Sequence, residues 1–469
     1  MRTPFLGSAY SARSLNLACQ RCVNLYPEMV ETKSGKDVAA FYTTPGSTLL
    51  TTAGAGPIRG MEVMGGLLYV VSGREIYSIT SGWTATLLGT MSNIAPQVGM
   101  ITNNRQLAIF DQGSGYSVTA STGVVAPLNL PFTPAPIATY QDGFGLTVQA
   151  NSQVVWQSTL GDLTSWNALT FSSVDGSADN ISSIIDQRRE LWVLKDQNTE
   201  VWVDAGNPNF SFQRLEGVFL QLGCVAPQSP ALMGEGIAWL AQNAEGRNVV
   251  VMSQGYKAVR ISTHAIEARI ATYPTVGDAV GYSYIENGHV FYVITFPSGN
   301  ETWVFDMITQ SWHQRAALSG GTLNRHAANA FAYFSGIPVV GDYQSGNIYY
   351  LNPNEQTDNG AQRKWIRSWR ALLQPNPMPQ AFSSLNIDMQ MGMGVPAGTK
   401  PNIMLRWSDD GGHNWTSEVF GQVGQTGATT KRATFRRLGA TRRGTGLDRT
   451  FELSSTDTYS VALIGAELT

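Results

Sequence analysis

The sequence predicts an all-β protein, a β-propeller of about seven blades followed by a small C-terminal β-sandwich. Three observations predict it. An apolar strand, a small polar turn and a second strand rich in aromatic or β-branched residues recur seven times between residues 67 and 352. The second strands start at residues 75, 107, 154, 200, 249, 302 and 347, so the period is roughly 45–53 residues after a short first interval of 32. That is the spacing of radially repeated four-stranded blades, and six to eight of them are compatible with it. Helix is nearly absent, the best stretch being the short one around residues 264–271.

The repeated strands read EIYSI (75–79), LAIFD (107–111), VVWQS (154–158), EVWVD (200–204), VVVMS (249–253), TWVFD (302–306) and NIYYL (347–351). Partner strands precede several of them, at 67–71, 191–194, 237–240 and 290–294. The turns between or beside them hold Ser72-Gly73, Asn103-Asn104, Ala150-Asn151, Glu245-Gly246, Ser298-Gly299 and Ser345-Gly346. These residues tolerate positive φ or bond to their own backbone, as hairpin turns require. A lone hairpin is marginal in water, whereas stacked blades bury both faces and a closed ring leaves only short edges.

Residues 1–55 form a lead-in expected to supply the ring-closing strand, and residues 56–372 the propeller. The Pro-rich run 126–136 (APLNLPFTPAP) connects blades two and three, because proline cannot continue a sheet interior. A second Pro-rich run, 373–380, is the linker to the sandwich at 381–469, whose strands are expected at 384–389, 402–407, 432–438, 450–453 and 461–468. No apolar run reaches the roughly 18 residues needed to span a bilayer, and the first residues, MRTPFLGSAYSARS, lack the apolar core of a secretory signal.

Catalytic and metal motifs are thin. Cys19-Gln20-Arg21-Cys22 is a lone CxxC, and neither the scattered histidines nor the distant Cys224 offers it two further ligands. The sequence lacks a G-x-S-x-G elbow, an H-E-x-x-H pair and a phosphate loop. Neither a cofactor nor an enzymatic activity is therefore expected. Thr302 to Asp306, followed by Thr309 and Trp312, reads as blade packing, with tryptophan in the core and Asp306 at the turn.

One motif in the sandwich is specific. Ser408-Asp409-Asp410-Gly411-Gly412-His413-Asn414-Trp415 matches the Asp-box pattern S-x-D-x-G-x-x-W, with Ser408, Asp410, Gly412 and Trp415 at its fixed positions. The carboxylate accepts backbone N–H groups within the turn, glycine permits the reversal, and tryptophan is expected to anchor the hairpin in the core. Asp boxes are also familiar from sialidases. This one lies outside the repeats, and its adjacent carboxylates cannot flank a glycosidic bond.

Charge is uneven. Residues 361–469 carry 13 Lys+Arg against 8 Asp+Glu, while residues 1–360 carry 18 against 26. Arg363, Lys364, Arg367 and Arg370 open the basic region; Lys431, Arg432, Arg436, Arg437, Arg442, Arg443 and Arg449 crowd its later part. Such a cluster can meet phosphates or an acidic protein surface. The simpler reading is the solvated face of alternating strands, since interleaved aromatics and a nucleic-acid motif are missing.

The ends of the chain resemble a known family. The opening (Arg21 to Glu28, RCVNLYPE, then Thr44-Pro45-Gly46) and the close (408–415, then FRRLG at 435–439, Arg442-Arg443, FEL at 451–453 and VALIG at 461–465) are similar to the packaged-DNA stabilisation, or tail hub, proteins of short-tailed bacteriophages. The resemblance implies a structural virion protein of the tail, assembled in the host cytoplasm. Such a protein would form a ring of about six copies below the portal and head-to-tail adaptor, stabilise packaged DNA and extend its channel. It would carry tailspike, fibre or needle proteins, with DNA passing without sequence-specific contact. No catalytic residue carries over. Within this frame Arg436, Arg437, Arg442 and Arg443 are candidates for a subunit interface, and an acidic body offers exiting DNA no counterion. The alternative is a carbohydrate-binding or sialidase-like propeller, which would need convergent arginines, paired carboxylates or aromatic platforms on one propeller face.

Overall fold

The computed structural model describes residues 2–15, 17–30, 39–242, 245–246, 248–371, 380–390, 399, 401–424, 432–441 and 449–469. Seven sheets close into a propeller. Blades 1 (residues 58–90), 2 (99–127), 3 (134–173) and 4 (181–220) are four-stranded antiparallel meanders. In blade 5 (223–260) the inner position is shared by Gly223–Cys224 and Ala231–Met233, both paired with Gly236–Gln242. Blade 6 spans 280–319. Blade 7 consists of Ala328–Phe334, Ile337–Asp342 and Asn347–Asn352, and its fourth strand, Gly46–Thr52, comes from the beginning of the chain.

The second strand of a blade is covered on both faces, so Leu67–Ser72, Glu190–Lys195 and Gly236–Gln242 are buried almost throughout. Burial on both sides explains why these segments are continuous apolar runs rather than alternating ones. The seven repeated sequence strands all lie in sheets, but LAIFD occupies the second position of blade 2 (Gln106–Asp111), whereas the others occupy third positions. The third strand of blade 2 is Ser114–Thr119, which removes the anomaly of the short first interval.

Blades are joined by polar contacts as well as by apolar seams. Arg59, fully buried in the inner strand of blade 1, pairs with Asp111 of blade 2 at 2.7 Å and donates to the Gly73 carbonyl at 2.8 Å. Asn329 donates to the Ile58 carbonyl at 2.7 Å, tying blade 7 to blade 1. In blade 6, Asp306 caps its turn by accepting from the Ile308 amide (2.9 Å) and the Thr309 hydroxyl (2.6 Å), and Trp312 is buried, as expected of blade packing.

His326 lies buried between blades 6 and 7. Its Nδ1 accepts from the Ala328 amide at 3.2 Å, and burial, with Arg315 and Arg363 nearby, pushes its pKa down to about 3. The unfolded chain therefore binds this proton near pH 6.5, well before the folded chain does. Stability should be complete above that pH and fall between about 6.5 and 3, by on the order of 1 kcal/mol per pH unit for this group. His326→Asn, which keeps an acceptor, should flatten the pH dependence of the urea midpoint across that window. An unchanged slope would exclude His326 as a contributor.

The β-sandwich does not belong to the C-terminal residues alone. One sheet orders Cys22–Val23, Trp365–Arg370, Thr450–Ser455, Asn402–Ser408 and Val419–Gln422; the other orders Leu25–Met29, Ala39–Thr43, Ala462–Leu468, Ala381–Met389 and Ala433–Ala440. Trp365–Arg370, expected within the propeller, is thus a sandwich strand, and the lead-in supplies three sandwich strands besides the closing strand. The physical reason is the core: Phe5 and Phe41 from the lead-in pack against Trp369 and Phe451, with Phe5 and Trp369 edge-to-face at 4.7 Å. Cys22–Val23 also pairs, in parallel, with the outer strand of blade 6 (Ser311–Ser319), so one hydrogen-bonded sheet runs from the inner strand of blade 6 into the sandwich. Of the expected linker 373–380, only Gln380 lies among the described residues.

Candidate functional site

The Asp-box turn follows the strand Asn402–Ser408. Ser408 Oγ donates to Asp410 Oδ1 (2.7 Å) and accepts from the Gly412 amide (2.8 Å); Asp410 in turn accepts from the Asn414 amide (2.8 Å) and side chain (2.6 Å). These donors hold the Asp410 carboxyl down at about 2. Gly412, at φ 97°, permits the reversal and lies against Cys19, whose Sγ would be 2.7 Å from any added Cβ. Trp415 closes the turn through Nε1 to the Gly412 carbonyl at 3.0 Å. It does not enter the core: it is half-buried, with the Arg406 guanidinium 4.8 Å above its ring. Hydrogen bonds inside the turn, not burial of the indole, fix this hairpin.

A buried cation holds that turn, and further arginines line the junction with the lead-in. Arg449 grips Asp409 with two bonds, 2.6 and 2.8 Å, donates to the Leu438 carbonyl at 2.7 Å, and lies over the rings of Phe382 and Trp407. Glu452, almost fully buried, accepts from Arg406 (2.8 Å) and from Arg21 of the lead-in (3.2 Å). Arg367 is fully buried, donates to the Phe5 carbonyl at 2.8 Å and covers the Phe41 ring. Arg363 bonds the Thr44 carbonyl (2.9 Å) and hydroxyl (2.6 Å) beside Asp358. The solvated-strand reading of this basic region therefore fails for Arg363, Arg367 and Arg449. Trp365–Arg370 is a central strand covered by the lead-in, and its cations clamp the two ends of the chain together.

The outer basic residues behave differently. Arg436 and Arg437 are exposed on the edge strand Ala433–Ala440, with Arg437 at φ 62° where its pairing shifts register, and they form no ion pair among the described residues. Arg432 pairs with Glu467 at 3.3 Å. Arg442 and Arg443 lie outside the described residues. The structure thus brings the four Asp-box residues together and keeps Arg436 and Arg437 at the surface. Sequence reasoning missed Arg59 with Asp111; an arginine inside the apolar strand IRGMEVM was the available signal.

On the propeller, Arg188 and Arg189 at one hairpin tip are engaged by Glu235 (2.8 Å) and Asp142 (2.7 Å) of the flanking blades. Two clefts of about 630 and 1020 Å³ flank the helix His264–Ile270 under the lead-in. Their carboxylates, Glu301 and Glu267, are taken up by Arg269 and Arg260. No group of His, Cys, Asp and Glu able to hold a metal occurs among the described residues, and none of their helices is long and apolar enough to cross a membrane.

Residues 1–356 match a family model described as the bacteriophage P22 Gp10 β-propeller, and residues 365–468 match that of the P22 Gp10 β-sandwich. No curated protein matches. Among solved structures, the Pan2 WD40 domain of Neurospora crassa is similar at 10% identity and TM-score 0.43, covering 66% of this chain and 95% of that one. The extracellular domain of the two-component system BT4673 from B. thetaiotaomicron is similar at 12% identity and TM-score 0.46, covering 76% of this chain and 46% of that one.

Proposed function

Since the chain belongs to the bacteriophage P22 Gp10 family and is a phage DNA-stabilisation tail protein, we propose that it acts as a ring of about six copies below the portal and head-to-tail adaptor. There it extends the DNA channel and carries tailspike, fibre or needle proteins. The observation that supports this reading most directly is the interlock of the two modules. A propeller and a sandwich joined by one flexible tether would swing under load. Here a continuous sheet and three lead-in strands join them, and buried Arg363 and Arg367 fasten the same junction. A wall that holds pressurised DNA needs that rigidity, and it needs no catalytic centre.

Electron microscopy of the purified protein mixed with portal and adaptor complexes tests the proposal. A closed ring seated on the adaptor is the expected result. A protein that stays monomeric with the adaptor and binds glycans instead would overturn it in favour of the carbohydrate-binding alternative.

A further inference from the structure

Two segments of the chain carry charge of one sign only. From residue 106 to 187, across most of blade 2 and all of blade 3, there are six Asp and no Lys, Arg or His; Asp111, Asp142 and Asp179 are taken up by Arg59, Arg189 and Lys195, and Asp175 is exposed at the rim. Between Glu418 and Asp448 there are six Lys or Arg and no Asp or Glu; of those among the described residues, Arg432 pairs with Glu467 and Arg436 and Arg437 are exposed on the sandwich edge. The fold sets the described parts of these segments at opposite ends of the molecule. In a closed ring of seven blades the position facing blade 6 is the seam between blades 2 and 3, and the sandwich continues the sheet of blade 6 outward.

Both ends also expose apolar side chains on or beside short free edges. At blade 3, Leu160 and Leu169 are more than 60% exposed, and Phe171 sits in an outermost strand of three residues, Phe171–Ser173. Phe171 is the outer member of an aromatic stack in which Trp156 lies 4.8 Å from it and Phe132 lies 4.4 Å beyond. At the sandwich, the edge strand Val419–Gln422 exposes Phe420 at 65%, and the other sheet's edge strand exposes Arg436 and Arg437. Apolar side chains on free edges invite pairing, and opposite charge around them selects the partner and its orientation.

We infer that the occupant of each surface is a second copy of this chain: the Phe420, Arg436 and Arg437 edge of one copy docks on the Leu169, Phe171 and Asp175 rim of the next. The contact is heterologous, one end of a copy against the opposite end of its neighbour, and such a contact repeats until rotation closes a ring. This inference rests on the ring reading and adds which surfaces build the ring.

Two variants of the full chain test it: Arg436→Glu with Arg437→Glu, and Ser173→Arg with Asp175→Arg. All four positions are exposed or at a sheet edge, so unchanged unfolding midpoints serve as the folding control. In sedimentation and native mass spectrometry each variant alone should lose assembly by about tenfold or more, because every contact becomes like-charged. An equimolar mixture should regain rings containing both variants in equal number, since every mixed contact is again complementary. Variants that assemble like wild type, or a mixture that stays apart, would overturn the assigned surfaces while leaving the ring itself standing. Variants that form rings but lose a tail protein would also overturn them, assigning the surfaces to that protein. A wild-type chain that forms no ring, even on adaptor complexes, would overturn both readings.

Discussion

Arg449→Ala is expected to lower the stability of the β-sandwich by about 3–5 kcal/mol, the range for removing one partner of a buried ion pair. The side chain is 1% exposed and holds the Asp-box turn, through Asp409, to the carbonyl of Leu438 at the end of the other sheet. Its removal leaves Asp409 without its cation and opens a gap between Phe382 and Trp407. Hydrogen exchange of the Thr450–Ser455 amides and urea unfolding would measure the loss. Arg449→Met combined with Asp409→Leu should recover much of it, because the desolvation of both charges disappears along with their attraction. A loss below about 1 kcal/mol, typical of surface pairs, would mean that the pair is solvent-screened.

The second large effect is expected at the propeller's closure. Gly346 precedes the strand Asn347–Asn352, and its carbonyl accepts from the Ala53 amide at 2.8 Å, at the end of the closing strand. A Cβ at this position would lie 2.2 Å from the Gly54 oxygen and 2.3 Å from the Ala53 oxygen, both backbone atoms that no rotamer change can move. Gly346→Val should therefore cost roughly 3 kcal/mol and detach Gly46–Thr52. Limited proteolysis would read this as new cleavage near residue 50, together with faster exchange throughout blade 7. Gly82→Ala, which meets only the Thr80 hydroxyl at 3.7 Å, is the control and should be silent. Equal protease resistance in the two variants would show that closure does not depend on this approach.

The propeller was legible because its physics is local. A strand covered on both faces reads as an apolar run, and the turn beside it holds residues such as Asn104 and Gly73, at φ 65° and 56°. Where the pattern drifted, as in LAIFD, the cause was that two adjacent strands of blade 2 are equally buried and either can carry the signal. The broken inner strand of blade 5 left no trace, since pieces of two and three residues have no periodicity.

The sandwich was half legible. Its C-terminal strands alternate clearly; Ala433–Ala440 buries Ala433, Phe435 and Leu438 with charged or polar residues between. Cys22–Val23 and Ala39–Thr43 pair with sandwich strands more than 300 residues away, and Cys22–Val23 is too short to announce itself. For the candidate site, the Asp box was legible as a turn because its bonds are between near neighbours. The fate of the arginines was not. Sequence records the sign of a charge but not its burial, and Arg367 differs from Arg436 only in lying on a central strand instead of an edge.

The pairing of Ala39–Thr43 with Ala462–Leu468 also places a constraint on time. At about 5–20 residues per second, the ribosome makes the first of these strands on the order of half a minute before its partner exists. Until then Ala39–Thr43 has only Leu25–Met29 beside it, and Phe41 lacks the Leu463, Ala466 and Leu468 side of its core. The sandwich, and with it the outer edge that carries Phe420, is therefore the last part of the molecule to form. A nascent or truncated chain has no such edge to offer, so under the inferred contact translation itself withholds premature copies from self-association.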